Sequence, residues 1–342
     1  MTWEQGIFDL IVAVLIIFAL LTGFAYMTYA ERRIVALMQV RLGPNRVGPA
    51  GLLQPLADGI KLLFKEDIVP AQADKPIFTL APMLSIIVAL SAFAVIPFTV
   101  ISSTFIVRGS TIASKGPLAL ASLNVGLLYV FAATSLGVYG IILSGWASNN
   151  KYSLLGGIRS SAQVISYELA LSMAVIGVIA ITGSLSLGDI VSFQQRHIPN
   201  ILWQPLGFCL YCIAAIAEVN RAPFDLAEAE QELVAGYHIE YSSFRFAMFF
   251  MAEYINMITV SAFATTLFLD GPVGPFVLIT PWLSGLFWFT IKVAVLLFTF
   301  IWIRATLPRV RYDRLMSLGW RWLLPLGLLN IVITGAVVAF TA

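Results

Sequence analysis

The densest cluster of chemically competent side chains lies between Glu218 and Glu240. Glu218, Asp225, Glu228, Glu230, Glu232 and Glu240 place six of the chain's 18 acidic residues in that one stretch. Only Arg221 and His238 oppose them locally. Two carboxylates ~6 Å apart repel by about 3 kcal/mol at an effective dielectric of ~20, which is about 2 pK units. A row of them beside lipid therefore shares protons near neutral pH, and groups that titrate there are suited to relaying protons. A solvated acidic loop is the other reading. Against it, Pro223, Phe224, Leu226, Leu233, Val234, Gly236 and Tyr237 interleave the acids, and a fully solvated loop does not need that apolar content.

Glu168, Glu253 and Lys292 stand inside long apolar runs. Each costs roughly 2.5–3.5 kcal/mol at a helix centre on insertion scales. With Glu218 at the end of another run, they point to a polar path; structural pairing is the alternative. Iron–sulfur and haem sites need cysteine or histidine sets, and here His197 and His238 are isolated. Cys209 and Cys212 form a CxxC pair inside an apolar run with no second pair, so small residues on a helix face are expected rather than a metal or redox motif. No phosphate-binding glycine motif or nucleophile elbow stands in a suitable context. The chain is expected to carry no metal or redox centre and no catalytic residue acting alone. Any electron transfer then belongs to a partner.

The elements that must position these groups are membrane helices. The chain is 342 residues long, 59% hydrophobic and only 11% charged, where soluble domains carry roughly 25% charge. Its net charge of +2 gives no sign of a nucleic-acid partner. A helix needs ~20 apolar residues to cross ~30 Å of hydrocarbon. Eight runs approach or reach that length, at 7–29, 77–100, 118–143, 162–182, 203–219, 244–269, 283–303 and 322–341. The first is too long for a signal-peptide core and reads as an uncleaved span. Regular strand alternation is absent, so the expected fold is all-α and polytopic, with about eight transmembrane helices.

Basic residues orient the bundle. Arg32, Arg33, Arg41, Arg46, Lys61, Lys65 and Lys75 lie in the first connection. Lys151 and Arg159 lie in the third, Arg221 and Arg245 in the fifth, and Arg304, Arg309, Arg311, Arg314 and Arg321 in the seventh. Those sixteen face three, Arg108, Lys115 and Arg196, in the even-numbered connections. The bias puts odd connections on the cytoplasmic (or matrix) side and both termini opposite. Within the first connection, Leu52, Leu53, Leu56, Ile60, Leu63 and Phe64 recur at three-to-four spacing. An amphipathic surface helix over 51–66 is expected. It either packs on the bundle as a connector or walls a cavity open to lipid.

Several long motifs resemble one family. Ala30-Glu31-Arg32-Arg33, the run from Gln39 to Pro49 containing Arg41-Leu42-Gly43-Pro44-Asn45-Arg46, and the run from Leu53 to Leu62 resemble the first loop of the quinone-site membrane subunit of NADH–quinone oxidoreductase, respiratory complex I. In that family it is the H subunit of the bacterial enzyme and subunit 1 of the mitochondrial one. The stretches Ser144–Tyr152, Ser161-Ala162-Gln163, Ile165-Ser166-Tyr167-Glu168, Met251-Ala252-Glu253-Tyr254 and Trp302–Asp313, with the acidic loop over 220–243, extend the resemblance nearly end to end.

The resemblance implies a quinone chamber shared with peripheral-arm subunits, which hold the iron–sulfur clusters and FMN. By motif, Glu31, Arg32, Arg41 and Asp58 would line that chamber or its mouth. Glu168, Glu218, Asp225, Glu228, Glu230, Glu232, Glu240 and Glu253 would form a proton-linked passage toward antiporter-like membrane subunits. Quinone would be the substrate and lipid the solvent. The bacterial cytoplasmic membrane would be the location, with both termini periplasmic and the mitochondrial inner membrane as the alternative. The equivalent subunit of an energy-converting hydrogenase-like complex and a stand-alone ion transporter are the competing functions.

Overall fold

A computed structural model describes residues 3–101, 105–107, 110–112, 116–226, 234–275 and 281–341. Glu228, Glu230 and Glu232 lie outside the described residues.

The first helix, α1 (Trp3–Met38), is longer than a membrane requires, about 54 Å at 1.5 Å per residue. The first run was expected to end at 29, with Glu31 and Arg32 in a loop. Both instead sit on α1, because residues 30–38 contain no Pro or Gly; the helix stops where Val40 takes φ 54°. The surface helix α2 (Gln54–Phe64) begins with Pro55 in its first turn and buries none of its residues. Leu56, Ile60, Leu63 and Phe64 point outward.

Helix α3 (Lys75–Ala92) packs closely on α4 (Gly126–Ala147). A Cβ on Gly140 would lie 2.1 Å from Ser85 Oγ, so small residues set this approach, as in other membrane interfaces. The expected runs at 77–100 and 118–143 overshoot the facing ends of these helices. Between them lie short antiparallel strands: β1 (Thr99–Ile101) pairs with β4 (Gly116–Leu118), and β2 (Phe105–Val107) with β3 (Ser110–Ile112). Hydropathy alone cannot distinguish a short apolar strand from the end of a helix, and Pro97, which has no N–H to donate, stands just past the end of α3.

Helix α5 (Lys151–Thr182) starts eleven residues before its expected 162, where the Asn150 side chain accepts a 3.0 Å hydrogen bond from Tyr152 N. It ends at Gly183 with φ 67°. Two short helices, α6 (Leu187–Arg196) and α7 (Asn200–Trp203), lead to α8 (Pro205–Glu218). Helix α8 has 14 residues, about 21 Å. Helix α9 (Ser243–Phe268) is the most buried long helix. It touches α1, α3, α8 and the next long helix, α10 (Pro281–Thr306). The chain ends in α11 (Tyr312–Leu318), a π-helical turn (Gly319–Leu323) and α12 (Leu324–Thr341).

Among the described residues, seven helices are long and apolar enough to cross a membrane, and α8 is a shorter apolar helix beside them. The largest core cluster runs through α5, α8 and α9, with Tyr167, Tyr211 and Phe268 fully buried.

Candidate functional site: a buried charged junction and an acidic cavity

Four elements meet at a cluster of charges. Glu31 comes from α1, Arg221 from the segment after α8, Glu253 and Tyr254 from α9, and Arg304 from α10. Arg221 Nε lies 2.6 Å from Glu253 Oε1, and its Nη1 lies 3.7 Å from Glu31 Oε1. Arg304 also pairs with Glu31. The Tyr254 hydroxyl donates to Glu31 Oε2 at 2.7 Å, and the Arg221 guanidinium stands 4.2 Å above the Tyr254 ring. Glu31 and Arg221 are 6% and 7% exposed, so neither charge could persist there alone. Two carboxylates balance two guanidiniums, and the planar fork of Arg221 serves two acids and an aromatic face together. The Arg304 side chain is 41% exposed and forms the open edge of the junction.

Helix α5 fixes Arg221 in place. Gln163 Nε2 donates to the carbonyls of Ala217 and Phe224, both at 2.8 Å, bridging either side of Arg221. Phe224 N donates back to Arg221 O at 2.8 Å, and Val310 N to Pro223 O at 3.0 Å. The Ala222–Pro223 peptide is cis. Beyond the undescribed segment the loop returns to α5. Ser153 Oγ donates to Tyr237 O at 3.0 Å, and Gly156 passes so close to Gly236 that a Cβ would lie 2.7 Å from its Cα.

Beside the junction is a cavity of about 70 Å³ lined by Glu218, Glu253, Asn220, Asn256, Thr134 and Thr259, among others. Glu218 Oε2, Asn220 Oδ1 and Thr259 Oγ1 are buried without a hydrogen-bond partner among the described residues. Buried polar atoms are paired in folded proteins, and the space has room for about two waters. Thr134 hydrogen-bonds Glu218, and Glu168 acts on Glu218 electrostatically. Glu168 itself accepts from Ser135 on α4. Glu218, the cavity, Glu253, Arg221 and Glu31 thus form a polar chain reaching α1, with Glu168 on α5 close enough to act on Glu218 electrostatically.

The remaining predicted residues lie elsewhere. Arg32 Nη1 meets Asp58 Oδ2 at 2.6 Å and ties α1 to α2 at the surface, with Gln54 Nε2 donating to the other Asp58 oxygen at 3.0 Å. Arg41 is exposed and donates to Gln39 at 2.7 Å. Glu31 therefore joins the acidic route, whereas Arg32, Asp58 and Arg41 lie around α2 and the loop before it. Asp225 is half-buried just past the junction. Glu240 accepts from Asn150 Nδ2 at 2.7 Å, at the start of α5.

Arg221, Arg304 and Tyr254 are members of the junction that residue type and spacing do not single out as site residues. In the sequence, Arg221 and Arg304 count as loop charges that orient the bundle. Their signal is position, since Arg304 stands in the last turn of α10 and Arg221 three residues past the end of α8. Lys292 is grouped by sequence with the intramembrane acids, and the structure separates it. Its ammonium donates to the carbonyls of Leu269, Gly271 (3.0 Å) and Val273, capping the C-terminus of α9 where the helix dipole favours a cation. Cys209 and Cys212 are free thiols on α8.

Fold and site together define a polytopic helical membrane protein whose buried acids run to a charged junction shared by α1, α9 and α10. The sequence profile of the NADH dehydrogenase family matches residues 11–335, and the chain belongs to that family. It is 56% identical to the H subunit of the NADH-quinone oxidoreductase of Thermomicrobium roseum, over 98% of both chains. It is 55% identical to the second H subunit of the NADH-quinone oxidoreductase of Geobacter metallireducens, over 96% of this chain and 94% of that one. With the H subunit of the Rickettsia rickettsii enzyme it shares 52% identity over 98% of this chain and 96% of the relative.

Proposed function

We propose that the chain is the membrane subunit of a proton-translocating NADH–quinone oxidoreductase that forms part of the quinone chamber and couples quinone reduction to proton pumping. Quinone reduction takes two electrons and two protons to give the quinol. The electrons come from an iron–sulfur cluster in a peripheral-arm partner, which receives them from NADH through FMN. This chain's own residues handle charge and protons. Glu31, Arg32, Asp58 and Arg41 face or flank the chamber between α1 and α2, and the exposed apolar side of α2 forms its lipid-facing wall. Glu168, Glu218, Asp225, Glu240 and Glu253, with Glu228, Glu230 and Glu232, form the proton passage toward antiporter-like membrane subunits. Helix α8, extended by its flanking residues, makes an eighth crossing. The protein sits in the bacterial cytoplasmic membrane with both termini on the periplasmic side.

The observation that carries this reading is Arg221, which contacts Glu31 on one side and Glu253 on the other. It joins the C-terminal part of α1 to the acidic cavity through one guanidinium. A negative charge appearing on the headgroup competes with Glu31 for Arg221 and Arg304, and the freed acid then takes up a proton. Each exchange of partner at Arg221 therefore changes the proton affinity of the cavity acids.

The test is Arg221→Gln in the assembled complex. NADH oxidation by a water-soluble artificial acceptor should stay at the wild-type rate, while quinone reduction and linked pumping fall at least tenfold, the scale of one ~1.4 kcal/mol interaction. Wild-type quinone reduction in an intact complex would refute the coupling role.

A further inference from the structure

The last helix enters the membrane through an unusual turn. Helix α12 (Leu324–Thr341) is an apolar helix of 18 residues, about 27 Å, close to the ~30 Å hydrocarbon thickness. The residues just before it, Gly319–Leu323, form a π-helical turn, a widening frequent at functional sites. On the topology proposed above, this turn lies at the level of the lipid headgroups, on the side of the basic connections. Trp320 and Trp322 are 52% and 64% exposed there, as expected of aromatic side chains at a membrane boundary.

Between α11 and this turn is a concavity lined by Asp313, Arg314, Ser317, Trp320 and Arg321. Its charges do not balance within the protein. Asp313 is taken by Arg311, at 2.9 Å. Arg159 stacks over Tyr312 at 5.6 Å and adds a further positive charge at the rim. Arg314 and Arg321 are exposed and form no ion pair among the described residues. Trp320 Nε1 donates to Ser166 Oγ at 3.3 Å, which holds the indole across the mouth of the site.

We propose that Arg314, Ser317, Trp320 and Arg321 bind the headgroup of an anionic phospholipid. The phosphodiester accepts from both guanidiniums and from the Ser317 hydroxyl, and the indole of Trp320 lies at the level of the glycerol. A phospholipid fits better than an acidic protein surface because the site is continuous with the lipid-facing residues Leu328, Leu329 and Val332 of α12, along which acyl chains can run. Charge complementarity and depth thus agree on one occupant.

The experiment uses the whole complex in nanodiscs of phosphatidylcholine with a minority of phosphatidylglycerol. After detergent washing, native mass spectrometry reads the phosphatidylglycerol retained. The wild type should keep it over phosphatidylcholine. Arg314→Gln and Arg321→Gln should each weaken retention about fivefold, the scale of one basic residue at a charged membrane surface, and Arg321→Lys should largely restore it. Equal retention by wild type and variants overturns the proposal. So does displacement by equimolar inorganic phosphate, which would mark a free-anion site, and so does loss of a protein subunit in the variants, which would mark a protein interface. Should the variants not assemble, photoactivatable phosphatidylglycerol on the wild-type complex decides the matter. Labelling within 313–321 supports the site, and labelling only elsewhere overturns it.

Discussion

Arg221 Nε and Glu253 Oε1 stand 2.6 Å apart, although the two residues belong to different elements separated by the entire acidic loop. The pair is buried, with side chains 8% and 13% exposed. Removing one partner of such a pair costs about 3–5 kcal/mol, because the other charge is left unmet. Glu253→Gln should therefore destabilise the subunit strongly, and combining it with Arg221→Gln should cost less than the two separate losses added together. Thermal unfolding of the purified complex, followed by retention of this chain, measures both. Strict additivity would show that the two residues act independently.

The three unpartnered oxygens around the cavity call for water. Thr259→Val keeps the volume and removes one of them. Linked pumping should fall severalfold, with assembly and artificial-acceptor activity unchanged. Unchanged pumping would mean that the cavity does not conduct.

Lys292 serves α9 as a cap rather than as a step in the acidic route. Lys292→Met frees three carbonyls at the end of that helix and should lower stability by about 1–3 kcal/mol. Quinone reductase turnover per assembled complex should stay within twofold of wild type. A selective loss of turnover at normal stability would return Lys292 to the proton route.

Asp270 sits in the loop that Lys292 holds. Burial raises its pKa, and the positive charge of Lys292 partly offsets this. A carboxyl whose folded pKa exceeds its unfolded value contributes stability that is present at low pH and lost as pH rises through the folded value. Asp270→Asn should therefore gain stability relative to wild type at pH 8 and show little difference near pH 4. Asparagine also tolerates the positive φ of 61° at this position. Thermal unfolding at the two pH values reads the difference, and an advantage confined to low pH would contradict it.

Gly156 lets the returning loop approach α5. A Cβ there would meet the backbone of Gly236, which has no side chain to rotate away. Gly156→Ala should shift Tyr237 and Glu240 and cut quinone reductase activity at least tenfold, the scale of ~1.4 kcal/mol. Gly137→Ala, whose Cβ would sit an ordinary 3.7 Å from Val88, should be tolerated and serves as the control. Equal behaviour of the two variants would separate loop position from activity.

How much of the fold and the site is legible in the sequence depends on the range of the interaction. Long apolar runs announce their helices because lipid demands them locally. The same signal cannot see that β1 takes over the end of the second run, or that the third helix begins only at Gly126, since a few apolar residues satisfy either geometry. It also misses the continuation of α1 through Glu31, where charge reads as loop. The acids are easy to pick out by their density. Arg221, Arg304 and Tyr254 are not, because their role exists only where 31, 221, 253 and 304 meet in space. Lys292 shows the converse error, in which a residue type that signals a pathway turns out to close a helix.

The shortness of α8 has an electrical meaning. Its 14 residues cover about 21 Å of a ~30 Å hydrocarbon layer. Glu218 and the irregular backbone after it therefore lie below the headgroups, where such backbone is tolerated only beside protein or water. Where water links a cavity at that depth to the adjoining solution, the cavity takes nearly that solution's potential. The membrane voltage then falls across a thinner insulator, making the local field about 1.4 times that in the surrounding bilayer, on the same thickness estimates. On the proposed proton passage, a proton reaching Glu218 would have spent little of the electrical work of crossing, and almost all of that work, about 2.3 kcal/mol per 100 mV, would remain for the steps beyond it.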